Sequence, residues 1–261
     1  MDNSPIHLTR LPLALLCAFG TAGSLQAQEG GTSFVEDFES MDSARWYVAD
    51  GWANGEHQNC TWSKDQVEVS GGTLRLDFTK RETGDRAYAC GEIQTKKRFG
   101  YGTYEARIKA AAGSGMNTAF FTYIGPVHDQ PWDEIDFEFL GKDPSKVQLN
   151  QYISGKGGNE KFVPVPGGAN EDFNDYAFVW EEGRIRWFIN GELVHEVSDP
   201  VLVPTHASKI YLSLWASDNM SSWLGSFEPP EGTLSAYFER VAFTAAGDDC
   251  QFPESVVCAL D

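Results

Sequence analysis

Short runs in which apolar and polar residues alternate with a period of two recur along most of the chain, each closed off by glycine, asparagine or proline. No long stretch shows the i, i+3, i+4 apolar recurrence of a helix. Thr73 to Phe78 alternates strictly after Gly71-Gly72, and Tyr104 to Lys109 alternates after Gly100 and Gly102. Each such run has one face for a core and one for water. The firmest hairpin joins Arg184 to Ile189 with Glu192 to Val197 through Asn190-Gly191, a pair that accepts the positive φ angles of a tight primed turn. Further strands are predicted at Ala119 to Tyr123, Glu134 to Leu140, Val147 to Tyr152, Tyr176 to Trp180, Ile210 to Trp215 and Ala236 to Thr244. With no linker and no internal repeat in 261 residues, the pattern predicts one large antiparallel β-sandwich.

The chain begins with an expected export signal over residues 1–27. His7 and Arg10 precede the apolar stretch Leu11 to Ala22, and small Ala27 ends Leu25-Gln26-Ala27. The stretch is short for a membrane span, so the expected product is a secreted single domain over 28–261, free of the membrane after signal removal and monomeric. Cys60, Cys90, Cys250 and Cys258 remain, an even set for an oxidising compartment. Three connectivities exist; the short C-terminal loop favours Cys250 with Cys258, which leaves Cys60 for Cys90. A four-thiolate zinc site competes, but 29, 159 and 7 intervening residues lack the paired short knuckles such sites use.

A formal charge of −18 excludes nucleic acid and anionic membranes as natural partners, because both are held by Lys and Arg. A neutral polymer carries no such penalty. Most of the 38 acidic residues read as a solvated surface. The exception is Glu134-Ile135-Asp136-Phe137-Glu138-Phe139-Leu140, where a strand would put three carboxylates on one face and the apolar residues into the core. Like charges so arrayed repel, and they raise one another's pKa. Glycoside hydrolysis needs such a set, with one carboxylic acid to protonate the leaving oxygen and one carboxylate to attack or to activate water. Residues i and i+4 of a flat strand are about 13 Å apart at Cα, so leaning glutamates on a bent strand are needed to approach the roughly 5 Å of a retaining pair. A solvated edge strand and a Ca²⁺ site use the same residue types. Trp132 beside the cluster, in a chain with eight tryptophans, favours a sugar-binding cleft over ordinary core packing.

The run Pro131-Trp132-Asp133-Glu134-Ile135-Asp136-Phe137-Glu138-Phe139-Leu140-Gly141-Lys142-Asp143 resembles the signature of glycoside hydrolase family 16, in particular its lichenase-like β-1,3-1,4-glucanases. The resemblance extends from about residue 34 to 244, through Asp50-Gly51-Trp52-Ala53-Asn54-Gly55, Cys90-Gly91-Glu92, Gln148-Leu149-Asn150-Gln151-Tyr152 and Trp223-Leu224-Gly225. It implies a jelly-roll (concanavalin-like) sandwich with a concave cleft, Glu134 as nucleophile, Glu138 as acid then base, and Asp136 as the residue that tunes both. It further implies a cleft lined by Trp52, Asn54, Glu92, Trp132, Asn150, Tyr152, Trp215 and Trp223, and a Cys60–Cys90 bridge. No organic cofactor and no catalytic metal are implied; a structural Ca²⁺ on the convex side is common in the family, although Glu239 stands here where aspartate is usual.

Departures bear on the substrate. After Glu92 the cereal-glucan enzymes continue Asn-Arg, where this chain has Ile93-Gln94 and then the basic run Lys96-Lys97-Arg98; Ser213 and Ala216 replace asparagines flanking Trp215. The chain as a whole is similar to secreted glycanases with which Gram-negative soil bacteria trim succinoglycan exopolysaccharide, which makes that polymer the first expected substrate and mixed-linkage β-glucan the second. A non-catalytic carbohydrate-binding jelly roll and a transglycosylase remain as alternatives. The basic run fits an acidic, decorated polysaccharide or a solvated strand end.

Overall fold

Alternation becomes strands almost wherever the sequence shows it. The computed structural model describes residues 31–260, so the expected export signal at 1–27 lies outside the described residues. Short strands β1 (Phe34–Glu36), β2 (Trp46–Val48), β3 (Cys60–Trp62) and β4 (Val67–Ser70) lead into the long β5 (Thr73–Thr83), β6 (Arg86–Thr95) and β7 (Gly102–Lys109). Then come β8 (Met116–Ile124), β9 (Asp133–Leu140), β10 (Lys146–Tyr152) and β11 (Lys161–Pro164). The chain continues through β12 (Asn174–Glu181), β13 (Arg184–Ile189), β14 (Glu192–Val197), β15 (Lys209–Ala216) and β16 (Leu234–Ala245), with one short helix, α1 (Ser221–Leu224), before the last strand. No helix among the described residues is long and apolar enough to cross a membrane.

The strands form two layers of a jelly-roll-like sandwich. One, the site sheet, runs β11-β10-β9-β8-β15-β6; the other, the back sheet, runs β5-β16-β7-β12-β13-β14. β6 belongs to both: Cys90 pairs with Phe78 of β5, and Gly91 pairs with Leu214 of β15. At Gly91 a Cβ would fall 2.5 Å from the Gln66 carbonyl oxygen, so only glycine lets the strand pass at this point. The hairpin of β13 and β14 has the predicted bounds, with φ of 50° at Asn190 and 81° at Gly191.

Between the layers, the apolar half of β9 meets the back sheet. Ile135, Phe137 and Phe139 are buried, with the Phe137 and Phe139 rings 5.4 Å and 4.7 Å from Tyr176 of β12 and Phe137 6.2 Å from Phe120 of β8. Each buried ring stabilises by about 1.5–3 kcal/mol, which fixes the register of β9 and therefore the face its carboxylates occupy. Both expected disulfides form, Cys60–Cys90 tying β3 to β6 and Cys250–Cys258 closing the C-terminal tail. The pairing removes the four-thiolate alternative.

Candidate active site

With Ile135, Phe137 and Phe139 committed to the core, the period of two sends Glu134, Asp136 and Glu138 to the outer face of the site sheet. Cross-strand register then assembles the rest of that face. On β10, Tyr152, Asn150 and Gln148 stand opposite Glu134, Asp136 and Glu138. On β8, Tyr123, Phe121 and Ala119 stand opposite the same three. Beyond them β15 supplies Lys209, Tyr211 and Ser213, and Glu92 of β6 pairs with Ser213, in the cross-strand row of Glu138.

The carboxyls are closely confined. Trp132 donates from Nε1 to Glu134 Oε2 at 2.5 Å and stacks on Tyr152 at 4.7 Å with planes 13° apart. Asn117 donates from Nδ2 to Glu138 Oε1 at 3.3 Å. Burial and the charges of both glutamates push the Asp136 carboxyl well above its ordinary range, so it holds its proton and its hydrogen bond with Glu134. Burial pushes Glu134 up to about 7 against the hydrogen bonds from Trp132 and Asp136. Glu138 goes up to about 8, through burial and then the Glu134 charge. Glu92 is 1% exposed and burial pushes it up to about 8.

Several buried acceptors on this face have no protein partner: Asp136 Oδ1, Asn150 Oδ1, Asn117 Oδ1 and Glu92 Oε1. Buried acceptors are ordinarily satisfied, and sugar hydroxyls are donors of the kind these atoms take. At one end of the face Trp215 and Trp223 lie 6.1 Å apart, and Trp223 donates from Nε1 to Gln148 Oε1 at 2.8 Å. Trp52 and Asn54 occupy the adjoining loop, which docks through Asn59 N on Ala216 O and through Glu56 O on Asn219. Trp52 is exposed and packs edge-on against Trp62, and no hydrogen bond or ring contact joins Trp52 or Asn54 to the acidic row. Glu92, Trp132, Asn150 and Tyr152 therefore share the carboxylate face, while Trp52 and Asn54 lie at its rim.

A family model for glycosyl hydrolases family 16 matches residues 54–229. The chain belongs to that family. It is 62% identical over 229 residues to an endo-1,3-1,4-beta-glycanase, ExoK, of Rhizobium meliloti, covering 88% of this chain and 85% of that protein. It is 41% identical over 209 residues to a beta-glucanase of Bacillus amyloliquefaciens, covering 80% and 85%. Among solved structures, a beta-1,3-1,4-glucanase (lichenase) derived from a mouse hindgut metagenome superposes with a TM-score of 0.78 at 41% identity, covering 82% of this chain and 99% of that one.

Within the family 16 frame, four residues of the site escaped the sequence reading. Gln148 was legible, because it shares the parity of Asn150 and Tyr152 on an alternating strand. Asn117 precedes the predicted start of its strand and carries no signal. Tyr211 and Lys209 follow from the parity of Ser213 once β15 is extended by one residue. At the departure Gln94, the side-chain Oε1 accepts a 3.0 Å hydrogen bond from Lys209 Nζ.

Proposed function

We propose that this protein is an exported endo-β-1,3-1,4-glycanase that hydrolyses internal bonds of a polysaccharide with net retention, acting in the periplasm or the medium as a monomer. The observation that carries the reading is the acidic row on one face of β9, in which Trp132 Nε1 donates to Glu134, Asn117 Nδ2 donates to Glu138 and the almost fully buried Asp136 lies between them, burial and both neighbouring charges pushing its carboxyl up. In the first step the Glu134 carboxylate attacks the anomeric carbon and the Glu138 carboxyl gives its proton to the departing glycosidic oxygen, leaving a glycosyl ester on Glu134. In the second, the Glu138 carboxylate takes a proton from water, the water oxygen attacks the same carbon, and Glu134 leaves as carboxylate. Two displacements on one carbon restore its configuration.

Succinoglycan-type exopolysaccharide is the first substrate, supported by the extent of identity to the Rhizobium glycanase. Mixed-linkage β-glucan is the second, supported by the Bacillus beta-glucanase. A non-catalytic binding jelly roll has no use for three carboxyls crowded in one row, the middle one buried and its neighbours half-buried, at this expense in repulsion. A structural Ca²⁺ does not fit at Glu239: its Oε2 accepts from Arg107 Nε at 2.8 Å, and the same guanidinium bonds Asp175 at 2.9 Å. A dication there would displace or oppose a fixed cation, so no step or stabilising role is assigned to it.

Glu134→Gln and Glu138→Gln are expected to lower kcat on either polymer by a factor of about 10³ or more while leaving the melting temperature within a few degrees. Reducing-end release, viscosity and anomeric NMR of the first product test this. Full activity in either variant, or an inverted first product, refutes the assignment; transfer to added oligosaccharide in preference to water would make the enzyme a transglycosylase.

A further inference from the structure

The basic run Lys96-Lys97-Arg98 does not act as one patch. Lys96 Nζ donates to the Ser43 carbonyl at 2.6 Å, and Lys96 and Lys97 are both exposed. Arg98 is half-buried and donates from Nη2 to the His128 carbonyl at 3.3 Å. Lys209, distant in sequence, is brought beside it: Phe99 and Ser208 bridge the two segments, and His128, whose carbonyl holds Arg98, lies with its ring 5.9 Å from Tyr123, the cross-strand partner of Lys209. Burial and then the Arg98 charge push the Lys209 ammonium down, and burial followed by the Lys209 and Arg98 charges pushes the His128 imidazole down.

Lys209 lies on the outer face of the site sheet, opposite Tyr123, which is itself opposite Glu134. Two strand spacings, about 10 Å, therefore separate Lys209 from the candidate nucleophile along one cross-strand row. The rings between them are continuous. Tyr123 is 5.9 Å from Tyr211, 5.9 Å from His128 and 6.3 Å from Trp132, whose indole N–H is on Glu134.

Among the described residues neither Lys209 nor Arg98 forms an ion pair, whereas every other described arginine does. The chain carries 38 acidic residues against 20 basic ones, so partners are abundant. Two half-buried cations placed together without a carboxylate are unfavourable by both desolvation and repulsion. Such an arrangement is accounted for when the compensating anion arrives with the ligand.

We propose that Lys209 and Arg98, backed by the Tyr123 and Tyr211 rings, form a site for a carboxylate carried as a substituent on the sugar chain bound at Glu134. This rests on the glycanase reading for the polymer and on the cation pair for the anion. The guanidinium fork and the ammonium donate to the two carboxylate oxygens, while the tyrosine rings pack against the sugar that bears them. The site selects acidic, decorated polymers over neutral ones of the same backbone.

The test is affinity electrophoresis of the full chain carrying Glu134→Gln, through gels holding succinoglycan or its carboxyl-reduced form, and carboxymethylated or unmodified mixed-linkage β-glucan. At about 0.15 M salt the Debye length is about 8 Å, which screens the overall charge and spares a partly buried pair. The carboxylated member of each pair should bind more tightly than its neutral partner. Lys209→Met with Arg98→Gln should reduce that preference about tenfold, and Lys209→Arg should keep it. Two results overturn the proposal: no preference for carboxylate in either pair, or an equal loss on carboxylated and neutral members. Failure of the glycanase reading is separate, seen as no reducing ends released from any of the four polymers by the unsubstituted protein.

Discussion

Between Glu134 and Glu138 the order of ionisation is set by what each touches. Glu134 receives hydrogen bonds from Trp132 and Asp136, which favour its charge; Glu138 has only the Asn117 amide and faces the Glu134 charge. The pair therefore loses its protons in two steps, near 7 and near 8, and the intermediate form is the one with a carboxylate at 134 and an acid at 138. kcat/KM is expected to rise with pH through about 7, as Glu134 ionises, and to fall beyond about 8, as Glu138 does. In Glu134→Gln the Glu138 titration, followed by carbon-13 NMR, should move down, because burial remains but the neighbouring charge does not; an unmoved Glu138 would contradict the coupling. Glu92 makes a different prediction, on stability. Burial pushes its pKa up to about 8 in the folded state from the ordinary 4.5 of a free glutamate, so the folded state binds the extra proton between these limits and stability falls as pH rises through them. Glu92→Gln should match the parent near pH 4 and exceed it by a few kcal/mol above pH 8, a gap that calorimetry at the two pH values would detect. A constant difference across that range would show that Glu92 is not buried as an acid.

β9 is held in place by the one acidic residue of its run that does not face the cleft. Asp133 is 1% exposed; its Oδ1 accepts from Ser154 N at 3.0 Å, and its Oδ2 accepts from Thr205 N at 2.9 Å and His206 N at 3.2 Å. It thus joins the start of β9 to two loops. Asp133→Ala strands these donors at a cost of about 3 kcal/mol, which for a domain of this size lowers Tm by roughly 6–12 °C. Thermal scans alongside kinetics check this: a normal Tm with low activity would place Asp133 in the chemistry instead. β9 itself was legible because carboxylate and apolar residues alternate along it from Glu134 to Phe139. β6, the strand shared by both sheets, was not. From Ala89 to Thr95 every residue of it is buried, and a strand with both faces enclosed has no alternation to read. Likewise β3 and β11 are too short for periodicity to show, and Asn117 lay just before the predicted start of its strand.

For the whole molecule, the two disulfides fasten parts of unequal consequence. Cys60–Cys90 spans 30 residues and fastens β3 to the strand through which the two sheets are continuous. Cys250–Cys258 spans 8 residues and closes a tail that lies on the back sheet. That tail is anchored by Ser255 Oγ and Val256 N, both donating to the buried Glu105 carboxylate, at 2.6 Å and 2.9 Å. Loop-closure entropy alone assigns about 3.6 kcal/mol to the longer loop and about 2.5 kcal/mol to the shorter. Position widens the gap: without its bridge the tail can peel off the back sheet and leave the sandwich closed, whereas β3 cannot leave β6 without exposing Trp62, which is fully buried. Cys60→Ala with Cys90→Ala should therefore lower the global Tm by about 7–14 °C. Cys250→Ala with Cys258→Ala should leave the main transition nearly in place and accelerate amide exchange at Ser255 and Val256 only. Equal losses of Tm in the two variants would mean that the tail is part of the cooperative unit and that the back sheet depends on it.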